Sequence, residues 1–451
     1  MPPTQEEGKG GGGHAIRSLL DTDLYKLTMQ AAVLDHYPTT HVTYKFSNRT
    51  PEKKFNHEAV NWLRQEIESL GSLRFSNDEI SYLRANVPQL PDRYLKYLTS
   101  FKLTPSEQVR LRFEPASKLS SSPGGGAELQ IEIAGLWVET ILYEIPVLAL
   151  VSEAFFKFVD TDWDLRDQQS RACSKATRLL QSGCSFSEFG TRRRRSFDTQ
   201  ELVMRGLLDA QTQQKKQGGH EIATGSFRGT SNVFFARKYD LPAIGTVAHE
   251  WMMGIAAVHE DYDAANTIAL QQWRQTMTDK FVGVALTDTF GTDVFLRAFA
   301  AHDDLARVYA GVRQDSGDPV RFINRIANFY DALGIAKAGK TIVFSDSLDV
   351  QACRKYKAAT DEAGLQSSFG VGTFFTNDFY ALTPPHDKST PLNIVIKLSS
   401  ADGKPAIKIS DNLGKNTGDQ ATVDKVKHDL GYVERNWEGG DEDKRWDQSL
   451  N

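Results

Sequence analysis

The chain has 451 residues, 40% of them hydrophobic and 25% charged, with a formal net charge of −5. That length accommodates a barrel domain of roughly 250 residues beside a second domain, and the composition suits a globular protein with a sizeable core. The negative balance excludes a global attraction to nucleic acid or to an anionic membrane surface, so any anionic ligand must be held by a local cluster of positive groups.

Residues 1–14 are polar and glycine-rich, lack the apolar run of a signal peptide and read as a disordered tail. Segment 22–35 sets Leu24, Leu27, Ala31 and Leu34 at helical spacing, 41–47 reads as a strand and 75–86 as a helix. Segment 117–126 ends in Ser-Ser-Pro-Gly-Gly-Gly and reads as a surface loop. From about Val151 the rhythm changes, and short β-like runs alternate with longer amphipathic helices. Strands are expected at 184–188, 243–247, 282–287, 308–312, 341–344, 368–371 and 393–398. Helices are expected at 164–181, 250–275, 319–333 and 348–363, with polar 211–220 as a loop. Such alternation implies parallel strands with crossover helices. After the last strand, Ala401-Asp402-Gly403-Lys404 signals a hairpin leading into 404–410. This returning end is expected to rejoin the N-terminal part. The chain therefore divides into tail 1–14, a discontinuous α/β domain of 15–150 plus 393–437, an irregular barrel domain of 151–392, and a charged tail 438–451. Three cysteines, Cys173, Cys184 and Cys353, show neither paired nor metal-ligand spacing, which favours a reduced, intracellular protein. No apolar stretch approaches the roughly 20 residues of a membrane helix. A cytoplasmic location is expected, with a nuclear one also compatible.

Nearly every expected strand runs into a polar cluster: Glu188-Phe189-Gly190, His249-Glu250, Asp288-Thr289, Arg313-Gln314-Asp315, Ser345-Asp346-Ser347, and Gly370 with Gly372. In (β/α) barrels the active site is assembled at the C-terminal ends of the strands. A purely structural barrel has no need of charge at so many of them, so the pattern is that of an enzyme. Arg192-Arg193-Arg194-Arg195 could hold phosphate oxygens bidentately. The plain alternatives are a solvated basic patch or a nuclear address. Asp315-Ser316-Gly317-Asp318-Pro319 offers carboxylates, a hydroxyl and close backbone approach, which suits a ribose or a Mg²⁺-bound pyrophosphate. The same residues suit a helix cap made by Ser316 or Asp318 with Pro319 in the first turn. Gly370-Val371-Gly372-Thr373 could cradle a phosphate with backbone N–H groups. His249 is by spacing alone more often a core residue than a catalyst. Tyr25 could be core or could stack on a flat heteroaromatic ring.

Taken together, LLDTDLYKLTMQAA, FSEFGTRRRRS, GTSN, IGTVAHEWMMG, LTDTFGTD, GVRQDSGDP, FSDSLD, GVGTFFTND, NIVIKLS and ISDNLGKN resemble the nicotinate phosphoribosyltransferase family, from about Ser18 to Trp437. The resemblance implies the type II phosphoribosyltransferase fold: an α/β architecture with an irregular barrel and a second α/β domain. It implies synthesis of nicotinate mononucleotide and pyrophosphate from nicotinate and 5-phosphoribosyl 1-pyrophosphate in NAD biosynthesis, coupled to ATP through a phosphohistidine at His249, with Mg²⁺. Tyr25 and Phe189 would flank the nicotinate ring, Tyr25 coming from this chain or from a neighbouring subunit. Arg313 would face the base, and Arg192 the phosphate or pyrophosphate. Asp288, Asp315 and Ser316 would lie near the ribose and Mg²⁺, and Asp288 would orient His249. Ser345, Gly370 and Gly372 would receive the 5-phosphate.

In the similar nicotinamide enzymes, the segment matching Gly229-Thr230-Ser231-Asn232 carries an aspartate. Ser231 can instead donate to a carboxylate, which an aspartate would repel by on the order of a few kcal/mol when poorly solvated. Nicotinate is therefore the expected base. The alternatives are a nicotinamide phosphoribosyltransferase, a quinolinate enzyme (which has no use for His249) and an inactive ligand-sensing relative. A monomer or homodimer is expected, with neither nucleic acid nor membrane as partner.

Overall fold

The change of rhythm near residue 151 is matched by a change of sheet. The computed structural model describes residues 13–115, 127–216, 225–412 and 416–433, so the expected loop 117–126, the tail 438–451 and nearly all of 1–14 lie outside the described residues. The strands are β1 (His41–Asn48), β2 (Val109–Pro115), β3 (Ala127–Leu136), β4 (Ser185–Glu188), β5 (Ser226–Thr230), β6 (Val284–Leu286), β7 (Gly311–Gln314), β8 (Thr341–Phe344), β9 (Gln366–Val371), β10 (Phe379–Tyr380), β11 (Lys388–Ser389), β12 (Ile394–Ala401) and β13 (Lys404–Pro405).

Five strands form one sheet in the order β13-β12-β1-β3-β2, with antiparallel pairing throughout. Its strands alternate. Val42 and Tyr44, Leu129, Ile131 and Ile133, and Ile394, Ile396 and Leu398 are buried, as a sheet with one covered face requires. The helices Glu144–Phe158 and His249–His259 lie against β12. Helix Leu24–His36 is buried from Leu24 to Val33 all round its circumference, the mark of a helix inside the core rather than on its surface.

Six strands form the second sheet, in the order β5-β4-β9-β8-β7-β6, with parallel pairing throughout. Long helices, including Phe197–Lys216, Pro319–Ala332 and Val350–Glu362, provide the crossovers. The architecture is the α/β fold expected of a type II phosphoribosyltransferase. Among the described residues β5 and β6 are the two edges of this sheet, so hydrogen bonding does not close the barrel. No helix among the described residues is long and apolar enough to cross a membrane.

Three local expectations need correction. Segment 243–247 forms no strand and contributes a single bridge, Thr230 to Ala243. Segment 250–275 is two helices, His249–His259 and Ala265–Met277. Glu260 adopts a left-handed φ of 53°, and the Asp261 side chain accepts from the N–H groups of Asp263 and Ala264, capturing donors that a continuous helix would use. Of the expected loop 211–220, residues 211–216 continue helix Phe197–Lys216, because a solvated helical end needs no apolar period, and 217–220 lie outside the described residues.

Candidate active site

The C-terminal ends of the parallel strands carry two charge clusters. The first surrounds the turn after β4. Glu188 is wholly buried, and its carboxyl accepts from Gly190 N–H (2.5 Å), Thr230 Oγ1 (2.6 Å) and Gln200 Nε2 (3.0 Å). These bonds fix the turn that presents Phe189 and Arg192. Burial lifts the Glu188 carboxyl to about 7, against the hydrogen bonds from Thr230, Gln200 and Gly190.

Of the four arginines, Arg192 keeps 44% of its side chain exposed and has Glu144 3.8 Å away. Arg193 donates to Ile394 O and to Asn393 Oδ1. Arg194 is fully buried and pairs bidentately with Asp21 through two 2.8 Å bonds. Arg195 is also fully buried, 3.7 Å from the centre of the Phe156 ring and 4.2 Å from that of Phe379. The run is therefore neither a solvated patch nor a four-pronged phosphate clamp. Arg194 and Arg195 anchor the turn, and Arg192 faces outward from it.

Asp23 occupies the cap position of helix Leu24–His36 without capping it. An aspartate there normally accepts from the first helical N–H groups. Here its carboxylate accepts instead from the Ser231 hydroxyl at 2.8 Å. Burial raises the Asp23 carboxyl, opposed by the Arg192 guanidinium and the Ser231 and Thr191 hydroxyls. Ser231, expected to face a ligand carboxylate, is thus already engaged with Asp23.

Tyr25 follows in the first helical turn, with its hydroxyl 3.4 Å from Glu144 Oε2. Lys26, wholly buried, pairs with both Glu144 (2.6 Å) and Glu250. Gly370 is where the Phe189 ring seats, since a Cβ on it would lie 2.3 Å from that ring. A Cβ on Gly372 would meet the Phe189 carbonyl at 3.1 Å. The two glycines are thus explained by packing against Phe189, whether or not a phosphate also approaches them.

The second cluster centres on His249, the first residue of helix His249–His259. Its Nδ1 meets Thr289 Oγ1 at 2.9 Å, and its Nε2 meets both Asp315 Oδ2 (3.0 Å) and Lys408 Nζ (2.9 Å). One ring nitrogen cannot donate to the carboxylate and accept from the ammonium at once, so the tautomer chooses between them. Asp288, expected to orient the ring, stands 3.7 Å from Nε2; Thr289 and Asp315 make the orienting contacts. Burial and then the Lys408 charge lower the imidazole below its usual value, against Asp288 and Asp315. Burial alone would raise the Asp315 carboxyl, yet the Arg313 guanidinium, His249 and Lys408 hold it well below the usual range.

Around this centre, Arg313 Nη2 donates to Asp315 Oδ1 (2.6 Å), its Nε to Ser345 Oγ (2.8 Å) and its Nη1 to Thr246 Oγ1 (2.9 Å). Ser345 Oγ donates to Asp315 Oδ1 (2.7 Å) and Ser316 Oγ to Asp288 Oδ2 (2.5 Å). Asp318, not Ser316, caps helix Pro319–Ala332, by accepting from Val320 and Arg321 N–H groups. Arg313 and Ser345 therefore join the His249 cluster, while Tyr25, Phe189, Arg192 and Ser231 belong to the turn after β4. Asp288 Oδ1 is buried and accepts no hydrogen bond among the described residues.

Sequence reasoning missed Lys408, Asp23, Lys26 and Glu144. Lys26 carried a usable signal, a charge on a helix otherwise patterned for the core. Lys408 carried none, standing in a short segment after a hairpin.

Two family models match the chain: the nicotinate phosphoribosyltransferase (NAPRTase) N-terminal domain over residues 20–152, and the NAPRTase family over residues 184–434. The chain is 50% identical over 434 residues to nicotinate phosphoribosyltransferase of Saccharomyces cerevisiae, covering 96% of this chain and 99% of that one. A crystal structure of a Saccharomyces cerevisiae protein superposes with a TM-score of 0.88 at 48% identity, over 94% of this chain and 100% of that one. Nicotinate phosphoribosyltransferase from Porphyromonas gingivalis superposes with a TM-score of 0.79 at 32% identity, over 92% and 100% respectively.

Proposed function

The chain belongs to the nicotinate phosphoribosyltransferase family, and on that premise we propose that it joins nicotinate to 5-phosphoribosyl 1-pyrophosphate, with ATP coupled through phosphorylation of His249. The products are nicotinate mononucleotide and pyrophosphate. The observation that carries the reading is the pair of clusters itself. A turn presenting Phe189 and Arg192 beside Tyr25 stands with a histidine held between Thr289, Asp315 and Lys408, both at the C-terminal ends of the parallel strands.

The chemistry asks little of a general base, because the pyridine nitrogen that attacks the anomeric carbon carries no proton. Cleavage of the C–O bond develops oxocarbenium character on the ribose and negative charge on the departing pyrophosphate. Arg192 supplies an outward-facing guanidinium for that charge. Tyr25 and Phe189 supply flat faces for the ring, each stack contributing about 0.5–1.5 kcal/mol. The unbonded Asp288 Oδ1 is the kind of hard carboxylate oxygen that Mg²⁺ prefers, and Asp315 stands beside it. Those two residues would hold a Mg²⁺ ion, which when bound neutralises phosphate charge.

Mononucleotide formation is tested with 5-phosphoribosyl 1-pyrophosphate, Mg²⁺ and ATP, running nicotinate and nicotinamide in parallel. Product from nicotinate alone, with ADP released in step, is the expected result. Product from nicotinamide overturns the reading of the base, and no product from either favours a ligand-sensing relative.

A further inference from the structure

The side chains of His249, Asp288 and Asp315 have the spacing of a metal triad, with one ligand atom from each lying within 4.8 Å of the others. Among them stands an ammonium group. Lys408 Nζ is 2.9 Å from His249 Nε2, 3.2 Å from Asp288 Oδ2 and 4.0 Å from Asp315 Oδ2, and the residue is 5% exposed. Its chain neighbours Ile407 and Ile409 are both wholly buried, and its backbone N–H donates to Thr417 O. The ammonium is therefore held in place rather than swinging in solvent. The segment that carries it follows β13 outside either sheet, bridging to Thr417 and, through the Ile409 N–H, to the Thr289 carbonyl.

We propose that Lys408 is a catalytic residue for phosphoryl transfer to His249: a fixed cation that offsets part of the carboxylate charge around the ring and meets the oxygens of the incoming phosphoryl group. The proposal rests on the ATP-coupled reading given above. Without Lys408, and before the Mg²⁺ that Asp288 and Asp315 would hold is bound, the ring is bordered by two carboxylates against the polyanion that must approach it. Arg313 is close, but three of its nitrogens are committed to Asp315, Ser345 and Thr246. Among the described residues, Lys408 is the cation in direct contact with the ring.

In the step it assists, the lone pair of an imidazole nitrogen attacks the γ-phosphorus of ATP. The N–P bond forms as the P–O bond to the β-phosphate breaks, and that electron pair leaves with ADP. Water later attacks the same phosphorus, the N–P pair returns to the ring and orthophosphate departs. The ammonium stays protonated throughout, exchanging its carboxylate contacts for phosphoryl oxygens. Preorganised charge of this kind is worth far more inside a protein than in water, because it need not reorganise as the reaction proceeds.

The test is quantitative trapping of phosphoenzyme from γ-³²P-labelled ATP by rapid quench, on the full chain and on Lys408→Met, Lys408→Gln and Lys408→Arg. Lys408→Gln keeps a hydrogen-bond donor of similar length, which guards against the apolar variant failing to fold; melting temperature confirms the fold of each. The rate of labelling should fall about 100-fold in the Met and Gln variants, the scale seen when one preorganised donor is removed. The loss should appear in kcat for ATP hydrolysis more than in the KM for ATP, and Lys408→Arg should recover part of it. Labelling of Lys408→Gln at the wild-type rate overturns the role of Lys408 alone. Absence of label on the wild-type chain overturns the ATP-coupled reading, and the role of Lys408 with it.

Discussion

The turn after β4 and the surroundings of His249 both bury charge, but they bury it differently. At the turn, Arg194 meets Asp21 in a bidentate pair, Asn232 Nδ2 adds a 2.7 Å bond to the same carboxylate, and Glu188 accepts three hydrogen bonds. Around His249, one nitrogen is contested by an ammonium and a carboxylate, whereas buried polar atoms without a hydrogen bond occur in both regions, Asp288 Oδ1 here and Arg194 Nε at the turn. A matched cluster has one low-energy arrangement and therefore builds a rigid mount. A contested cluster has at least two, separated by the position of a proton, and is suited to change state during a reaction. The two clusters should thus respond oppositely to mutation, one in stability and the other in turnover.

The contrast is tested most severely at its two centres. His249→Ala should lower ATP-coupled turnover by about a thousandfold or more, as loss of a nucleophile does, while the urea midpoint moves little. Unchanged ATP consumption during turnover would remove His249 from the mechanism. Arg194→Met should do the reverse, costing about 3–5 kcal/mol of stability in urea unfolding because Asp21 is left buried without its partner. A stable Arg194→Met protein would show that the turn does not depend on the pair.

Ser231→Asp sharpens the comparison at the border between mount and ligand. It places a second carboxylate against Asp23, whose partner is now the serine hydroxyl. The specificity constant for nicotinate should fall roughly 10- to 100-fold, the range for a poorly solvated like-charge contact. A value matching wild type would mean that base selection lies elsewhere.

The smallest effect concerns pH. Burial lifts the Glu188 carboxyl from 4.5 to about 7, so between those values the folded protein keeps a proton that the unfolded chain has released. This contribution to stability is fully present below about 4.5 and is lost as pH rises through about 7. Glu188→Gln cannot titrate and should flatten the fall in urea midpoint between pH 5 and pH 8. A slope identical to wild type would show the carboxyl to be ionised across the range.

Much of this organisation was legible before any coordinates. The strand-end residues announced themselves because a parallel sheet gathers its C-terminal ends, and the polar clusters after 188, 288, 315 and 345 fell where such a sheet would bring them. Spacing could not sort Arg192 to Arg195 from one another, and the resemblance singled out only Arg192. Four identical side chains in a row differ here in whether Asp21, Phe156 or solvent lies opposite, and those partners come from distant segments. The same reason hid Asp23. What engages its carboxylate is Ser231, more than two hundred residues later. The break at Glu260 was missed because the apolar period resumes in phase after it, while the Asp261 side chain takes the backbone donors.

The pairing of β1 with β12, Val42 opposite Ala401, bears on how the protein is made. At about 5–20 residues per second, roughly 20 to 70 s of translation separate the two strands. Once β3 has followed it, β1 has β3 on one side and an open edge on the other until β12 is made, a template for wrong partners that nascent-chain chaperones would need to shield. Lys408 emerges later still. A ribosome-bound or prematurely terminated chain that stops before it therefore displays the histidine without its neighbouring ammonium, so the segment after β13 decides when the finished centre exists.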